Sequence, residues 1–453
     1  MALSTNPAGL LDHLFTTDAM RGIFCDRRYL QSILDFESAL ARALVRTGIA
    51  PASTLAAIES SCHASHFDFE VLSVEAASAG NLAIPLVKHL TALVAKADPQ
   101  AMGFVHWGAT SQDAIDTGLV LQLRDAFDVF DADLAALAAA VAKLARDHRA
   151  TLVPGRTWLQ HAAPVTFGFK AAGWLTAIQR HRERLQQTRT RALVLQFGGA
   201  VGTLAAFGER GSAVADALAA ELKLARPDMS WHTHRDGLAE VATTLGLLTG
   251  TLGKIARDLS LLGQSEVGEL LEPAAPGRGG SSTMPHKRNP VGAAVVLSAA
   301  IRIPSLVATM LSAMVQEHER GLGGWHAEWQ TLPEICLLCS GALGHLTLVA
   351  GSAKVVTNKM VHDIDLTHGL ILSEAVAMAL AVHIGKQPAH QIIERGSRGA
   401  IDSGAHLRDV LLRDPEVTRY LSEEEILRLF DPANYTGVAL DSIDQVLQKF
   451  SGK

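Results

Sequence analysis

Apolar residues recur along most of the chain at the spacing that places them on one face of an α-helix. One example is the run of residues at intervals of three and four formed by Leu134, Leu137, Val141 and Leu144. The alternation of apolar and polar positions that is typical of a β-strand is nearly absent. The helical spacing continues through six further segments, residues 30–46, 167–192, 212–224, 237–263, 293–317 and 333–353. The pattern therefore predicts an all-α protein.

Segments rich in proline and glycine interrupt this pattern and indicate where helices end. Residues 99–110 lead into a long helix, and Thr110-x-x-Asp113 resembles a capping signal at its start. The most prominent break spans residues 272–290, which hold several prolines and glycines. From about Val356 the chain becomes more charged and poorer in alanine, which predicts a small separate helical domain at the C-terminus.

The composition is that of a folded protein without the charge that nucleic-acid binding requires. The 453 residues are 48% hydrophobic and 19% charged, and 40 Lys and Arg against 46 Asp and Glu leave a net charge of −6. Because nucleic-acid-binding proteins usually carry a strongly basic face, no nucleic-acid partner is predicted. An anionic ligand must instead be held by a local cluster of cations. Four cysteines are too few for a disulfide framework, and Cys336 and Cys339 are expected to be core thiols.

One uncharged stretch, residues 335–353, is long enough to suggest a membrane-spanning helix. Because it contains several polar residues, we interpret it as a buried helix of a large bundle, and no membrane partner is predicted. The first residues lack the basic region and apolar core of a signal peptide, which predicts a cytoplasmic protein. The pairs His232-x-His234 and His63-x-x-His66 lack further ligands at suitable spacing, and the Walker pattern is absent, so neither a metal nor a cofactor is predicted.

The loop at residues 279–290, Gly-Gly-Ser-Ser-Thr-Met-Pro-His-Lys-Arg-Asn-Pro, concentrates side chains that can do chemistry. Its glycines allow backbone mobility, its two serine hydroxyls can transfer a proton, and its three adjacent basic residues create a local positive potential. This combination suits a lid that closes over a carboxylate-rich ligand and excludes water. A basic surface loop is the alternative interpretation.

Three segments resemble the fumarase/aspartase superfamily in the same chain order. The loop matches the signature G-S-S-x-M-P-x-K-x-N, and two further motifs are similar at residues 105–113 (VHWGATSQD) and 155–164 (GRTWLQHAAP). The resemblance covers essentially the whole chain. It implies a long central helical bundle that forms the core of a homotetramer, with each active site assembled from three subunits. The three helical domains that it implies are residues 1–112, 113–355 and 356–453.

The resemblance also implies roles for individual residues. Ser281 matches the acid/base that acts at the carbon next to a substrate carboxylate, and Ser282 is the alternative because the sequence cannot orient the adjacent pair. His106 matches a substrate-contacting histidine of adenylosuccinate lyases and is a candidate for catalysis. The other positions that match substrate contacts are Thr110 and Ser111 at a helix start, Gln160 in the second motif, and Lys287 and Asn289 in the loop. Arg320 is either an anion contact or part of a salt bridge.

Two departures from the superfamily pattern are informative. Most members carry a histidine where this chain has Trp158, and many carry a glutamate where it has Ala294; that pair helps to protonate the leaving group. A carboxylate, whose acid has a pKa of about 4, departs without a proton donor. Residues 318–329 also look like the lactonising branch of the superfamily. The predicted reaction is therefore the addition of a carboxylate across a C=C bond within a small tricarboxylate substrate, which closes a lactone ring.

Several alternatives stay open. His161 could replace part of the lost acid function or be structural, and Trp158 could do more than fill space. The first rival function is adenylosuccinate lyase or another β-eliminating lyase of the same fold, although such lyases carry a His-Asp pair within the segment that matches residues 79–83. The second rival is a non-catalytic bundle protein like the crystallin relatives of the superfamily, which the intact loop opposes.

Overall fold

A computed structural model describes residues 9–273 and 278–452, and most of these residues are helical. The N-terminal residues considered for a signal peptide, and residues 274–277 of the long loop, lie outside the described residues. The helices are α1 Asp12–Phe15, α2 Asp18–Ile23, α3 Asp26–Arg46, α4 Leu55–Ser61, α5 Phe69–Ala79, α6 Ala83–Ala97, α7 Ser111–Asp147, α8 Phe167–Ala192, α9 Gly211–Leu222, α10 Asp236–Leu262, α11 Val291–Ala313, α12 Gly324–Ser352, α13 Thr357–Asp365, α14 Ser373–Ile384, α15 Lys386–Ser403, α16 Leu407–Leu411, α17 Pro415–Thr418, α18 Glu423–Leu429 and α19 Ala439–Ser451.

Short strands form two antiparallel pairs, which the periodicity did not predict. The strands are β1 Leu152–Thr157, β2 Gln160–Thr166, β3 Leu270–Leu271 and β4 Lys354–Val355. β1 and β2 make a hairpin, the motif hairpin, in which Thr157 pairs with Gln160 across a two-residue turn. A register shift follows Pro154, where a Cβ on Gly155 would lie 2.5 Å from the Ala163 carbonyl oxygen, so the close approach requires glycine.

The helical prediction is otherwise confirmed. Leu134, Leu137 and Val141 are fully buried on α7, as the stripe of apolar residues requires. Thr110 and Asp113 mark the start of α7 as expected, because the backbone N–H of Thr110 donates to Asp113 Oδ2 at 3.1 Å. Within residues 9–273 and 278–452 the fold is therefore all-α apart from the two short strand pairs. The three-domain boundaries stay a prediction.

The described residues form two compact units. The described part of the first unit comprises residues 9–134, His181–Gly253 and Val295–Gly344, and that of the second comprises Ala135–Arg180, residues 254–273, 278–294 and 345–452. In the first unit, α3 buries Phe36, Leu40 and Leu44 in a core that also includes buried residues of α6 and α9. In the second unit, a separate core gathers the buried faces of α14 to α18.

Two helices, α11 and α12, are long and apolar enough to cross a membrane by length and composition alone, and α13 with residues 370–384 would form a third span if that bent pair is counted. The predicted apolar stretch at residues 335–353 coincides with the C-terminal part of α12. Cys336 and Cys339 are fully buried free thiols there, which confirms the expectation of core thiols. The most apolar 18-residue window of α12 is 61% buried, and that of α11 is 33% buried.

Candidate active site

In the first unit, the start of α7 is organised around a buried carboxylate, that of Asp113. Asp113 Oδ1 accepts hydrogen bonds from His232 Nε2 at 2.8 Å and from Gln196 Nε2 at 3.1 Å. Backbone N–H groups of Gly198 and Gly199 donate to the same carboxylate at 3.0 and 2.8 Å. Because these donors come from two separate segments, residues 196–199 and His232, the carboxylate ties both segments to the start of α7.

Arg320 lies against this helix start with neutral partners. Its guanidinium donates to Gln112 Oε1 at 2.8 Å, to the Ala200 carbonyl oxygen at 2.8 Å and to Thr110 Oγ1 at 3.3 Å. Within residues 9–273 and 278–452 no carboxylate lies at ion-pair distance from Arg320. Its positive charge is therefore available to an anion, beside the half-buried Thr110 and Ser111 at the N-terminus of a long helix.

A buried ionic network lies next to Gln112. Arg235 donates to Asp116 through Nη1 at 2.6 Å and to Glu328 through Nε at 3.0 Å, and each of the three side chains is 1% exposed. Burial lowers the pKa of Arg235, but the two carboxylates outweigh this effect and leave it raised. Trp325 Nε1 and Gln112 Nε2 donate to Asp116 as well, at 2.9 and 3.1 Å. The network links α7 and α12 to the segment just before α10, and so holds the side chain that supports Arg320.

His106 also lies in the first unit, in the loop before α7. Its Nδ1 is 2.5 Å from Oε1 of Glu37, a residue of α3 whose side chain is 1% exposed. His106 has a left-handed backbone conformation, with φ of 55°, which is uncommon for a residue other than glycine. Two residues later Gly108 has φ of 70° and lies so close to Phe207 that a Cβ would be 2.3 Å from the ring. The tightly packed loop therefore fixes where the imidazole lies.

In the second unit, the signature loop (residues 279–290) folds back on itself. The Asn289 N–H donates to the Gly279 carbonyl at 2.8 Å, and Gly280 forms an antiparallel bridge with Arg288. Glu272 closes the base of the loop by accepting the N–H groups of Gly292 and Ala293 at the start of α11, at 2.9 and 2.8 Å. A carboxylate is favourable there because it satisfies free N–H groups at a helix N-terminus.

The two serines of the loop have different surroundings. Ser281 is half-buried, and its Oγ accepts the backbone N–H of Met284 at 3.0 Å and that of Thr283 at 3.3 Å. Ser282 is exposed, as is Lys287, whereas Asn289 is half-buried and donates from Nδ2 to the Gly280 carbonyl at 3.4 Å. Because two backbone N–H groups point at Ser281 Oγ, negative charge on that oxygen would be stabilised; the Thr283 hydroxyl also lies 3.4 Å from it.

The motif hairpin presents Trp158 and Leu159 at its tip. Trp158 is 98% exposed and Leu159 is 73% exposed, and both have positive φ, 54° and 64°. A two-residue hairpin turn of this kind normally uses Asn-Gly, because bulky side chains are strained in the left-handed region. Gln160, the third candidate residue at this tip, is also exposed. The tip is thus a strained, solvent-facing pair of apolar side chains at the position where most superfamily members carry a histidine.

A buried ion pair connects the motif hairpin to the strand that leads into the signature loop. Arg156 on β1 makes two hydrogen bonds, of 2.7 and 2.9 Å, to Glu269, which precedes β3 and is fully buried. Burial raises the pKa of the Glu269 carboxyl and Asp363 adds to the rise, although Arg156 opposes it. Burial and the nearby charge of Arg156 lower the pKa of His161, although Asp363 opposes this, so the imidazole is neutral at pH 7.

Among the predicted site residues, the structure brings Thr110 and Arg320 into direct contact at 3.3 Å, and Ser111 follows Thr110 as the first residue of α7. His106 contacts Glu37, and His232 contacts Asp113; no sequence pattern predicts either pair, because the partners are far apart along the chain. The histidine pairs considered as metal ligands have other contacts: His232 binds Asp113, and the His63 and His66 rings pack edge to face. Among residues 9–273 and 278–452, no group of three or more His, Cys, Asp and Glu side chains could hold a metal ion.

Comparisons with known proteins place the chain among enzymes. The sequence pattern of a family described as lyase matches residues 14–305, and that of the adenylosuccinate lyase C-terminus matches residues 369–446. The chain is 53% identical to a 3-carboxy-cis,cis-muconate cycloisomerase of Pseudomonas aeruginosa, over 98% of this chain and 97% of the relative. Its structure matches the 3-carboxy-cis,cis-muconate lactonizing enzyme of Pseudomonas putida with a TM-score of 0.93 at 52% identity, covering 98% and 99% of the two chains. It matches the β-carboxy-cis,cis-muconate cycloisomerase of Acinetobacter calcoaceticus with a TM-score of 0.92 at 41% identity, covering 97% and 100%.

Proposed function

Because the chain belongs to the lyase family, within the fumarase/aspartase superfamily, we propose that it is an enzyme that converts 3-carboxy-cis,cis-muconate to a carboxymuconolactone. This is an intramolecular addition of a carboxylate to a C=C bond, a step of the β-ketoadipate pathway of protocatechuate degradation. The observation that carries the proposal is Trp158 at the hairpin tip, where a lyase that expels an amine would need a proton donor. Ala294 on α11 lacks the acidic partner of that donor as well.

In the proposed reaction, a carboxylate oxygen of the substrate bonds to one alkene carbon, and the π electrons move to the neighbouring carbon. The charge that accumulates there is shared with the adjacent carboxylate as an enolate-like dianion. Ser281 donates its hydroxyl proton to that carbon and regains a proton from solvent. Because the addition is intramolecular, holding the diene bent so that oxygen and carbon meet supplies a large part of the rate enhancement.

The side chains that would stabilise the developing charge are cations and hydrogen-bond donors without carboxylate partners. Arg320 supports this assignment, because among the described residues its guanidinium contacts neutral oxygens only, those of Gln112 and Thr110 at the start of α7 and of the Ala200 carbonyl. Lys287 and Asn289 in the signature loop are proposed to hold a second carboxylate. A tricarboxylate that gains negative charge in its transition state needs cations and hydrogen-bond donors of this kind.

We also propose that the enzyme is a soluble, cytoplasmic homotetramer with active sites shared between subunits. Support comes from α11, where Ile301 is 74% exposed and Leu311 is 47% exposed, a surface that association would cover. Light scattering would then give a mass four times the 48.1 kDa of one chain. A monomer at micromolar concentration would contradict this part of the proposal.

The function is tested by incubating the purified protein with 3-carboxy-cis,cis-muconate and following the loss of diene absorbance without added metal or cofactor. We expect a lactone as the product. The match to the adenylosuccinate lyase C-terminus makes that lyase activity the second candidate, so adenylosuccinate is assayed in parallel. Turnover of adenylosuccinate without lactonisation would overturn the proposal, and failure of both reactions would favour a non-catalytic protein.

A further inference from the structure

Glu37 and His106 form a contact that, unlike the other histidine–carboxylate contacts of the first unit, leaves a buried carboxylate oxygen without a hydrogen bond among the described residues. Glu37 lies on the buried face of α3, and its second oxygen, Oε2, is buried without a hydrogen-bond partner among the described residues. A buried carboxylate is stable only when a cation or several donors compensate it. The imidazole of His106, at 2.5 Å, is the group that the fold supplies for this purpose.

The opposite side of the imidazole is open. His106 uses Nδ1 for Glu37, no hydrogen bond joins its Nε2 to a protein group within residues 9–273 and 278–452, and its side chain is 16% exposed. A hydrogen bond at one ring nitrogen sets the tautomer and the direction of the other nitrogen. With Nδ1 facing Glu37, Nε2 is the atom that can meet a ligand.

We propose that Glu37 is a positioning residue that holds His106 so that its Nε2–H donates to a carboxylate of the substrate. The identity of the ligand as the muconate substrate rests on the proposed function; the role of Glu37 toward His106 does not. The left-handed backbone of His106 is consistent with it, because such strain persists where the surrounding structure holds a residue in place. Glu37 itself lies behind the imidazole, on the side away from the open nitrogen, and acts only through His106.

The charged groups around His106 favour its protonated form. Burial lowers the pKa of His106, but the charge and hydrogen bond of Glu37, together with the charge of Asp113 on α7, outweigh burial and leave the pKa raised. Below that raised pKa both ring nitrogens carry protons, so Nε2 is a charged donor. The stabilisation from the Glu37 contact is complete below the unfolded-state pKa of about 6.5 and is lost as the pH rises through the raised pKa.

The test compares Glu37→Gln with wild type by the pH dependence of KM for 3-carboxy-cis,cis-muconate. The amide keeps the size of the side chain and removes its charge, so the rise of KM with pH should occur at lower pH, with kcat changed much less. At pH values where His106 is protonated in the wild type but not in Glu37→Gln, we expect the KM of the variant to be about 10- to 100-fold higher. This is the range for losing a hydrogen bond to a charged group. Glu75→Gln is the matched control: Glu75 contacts His89 at 2.8 Å in a half-buried pair and should leave the KM profile unchanged.

Two further measurements, a double-variant comparison of KM and an NMR titration of His106, test the role of Glu37. In a His106→Asn background, Glu37→Gln should raise KM no further, because the two residues act as one unit. In ligand-free protein, NMR of 13C-labelled histidine, assigned with His106→Asn, should show His106 losing its proton at lower pH in Glu37→Gln. An unchanged His106 titration, or additive KM effects, would overturn the proposal. If Glu37→Gln does not fold, Glu37→Asp replaces it: the shorter side chain draws the carboxylate away from Nδ1 and breaks the hydrogen bond, so a smaller shift in the same direction is expected.

The NMR readout does not depend on activity, so it separates this proposal from the proposed function. If wild-type His106 titrates without a raised pKa and the protein is an active lactonising enzyme, the role of Glu37 is wrong and the proposed function stands. A shifted titration that requires Glu37, in a protein without lactonising activity, would leave Glu37 as the residue that sets the charge of His106 and would remove muconate as its ligand.

Discussion

At the scale of single residues, the chemistry depends on which polar atoms already have partners. Ser281 Oγ accepts two backbone N–H groups, whereas exposed Ser282 lies beside it in the same loop. Arg320 contacts neutral oxygens, whereas Arg302 on α11 forms an ion pair with Glu334. Residue type alone therefore does not determine reactivity, because the hydrogen-bond partners determine which proton or charge is available to a ligand.

Replacing Ser281 by alanine should lower kcat for lactonisation about 10²- to 10⁴-fold, the usual contribution of one acid/base group. Ser282→Ala should lower it far less, because Ser282 lacks the two N–H donors that stabilise charge on Oγ. The measurement is steady-state kinetics on both variants, with thermal unfolding to confirm that each folds. If Ser282→Ala shows the large loss instead, Ser282 and not Ser281 is the proton donor. If both variants retain near-wild-type turnover, neither of the two loop serines takes part.

At the scale of secondary structure elements, the motif hairpin combines a firm base with a strained tip. Arg156 on β1 is tied to buried Glu269, close to the segment from which the signature loop starts. At the other end, Trp158 and Leu159 both adopt positive φ, which costs of order 1–3 kcal/mol for each residue. We therefore expect these side chains to have a function beyond closing the hairpin, since an exposed turn could otherwise avoid strain of this size.

Replacing Trp158 and Leu159 together by Asn and Gly should relieve that strain and slow amide hydrogen exchange across residues 152–166, because Asn-Gly suits this turn. Lactonisation should fall, since the indole would be lost from the proposed site. Leu159→Gly alone is the control, because it relieves part of the strain and keeps Trp158. Full activity in the double variant would show that Trp158 does not contact the substrate.

At the scale of the whole molecule, buried charges connect elements that are distant in sequence. Arg235 lies 119 residues from Asp116 and 93 from Glu328, and all three side chains are almost fully buried. Desolvating three charges is costly, so the network adds little stability beyond what well-packed apolar residues would give, but removing one member leaves the others without compensation.

Arg235→Leu should therefore destabilise the protein by about 3–5 kcal/mol, because it leaves two buried carboxylates unpaired. The matched control is Arg398→Leu, which removes an exposed pair with Glu394 one helical turn away and should cost about 0.5 kcal/mol or less. Urea unfolding of both variants provides the comparison. A loss below about 1 kcal/mol for Arg235→Leu would mean that water or rearrangement compensates the two carboxylates.

The sequence alone determined the helical class, the start of α7 and the signature loop with its serines, because these depend on local periodicity, capping and short motifs. The sequence also has tryptophan and not histidine at position 158, and this difference was the basis for predicting lactone formation. The motif hairpin escaped prediction because its turn residues, Trp158 and Leu159, are the opposite of what a hairpin turn normally contains. Tertiary structure decided the pairing of Glu37 with His106 across 69 residues and the binding of His232 by Asp113 across 119. Such contacts arise only when packed helices bring buried polar groups together, and no local pattern specifies which carboxylate each histidine will meet.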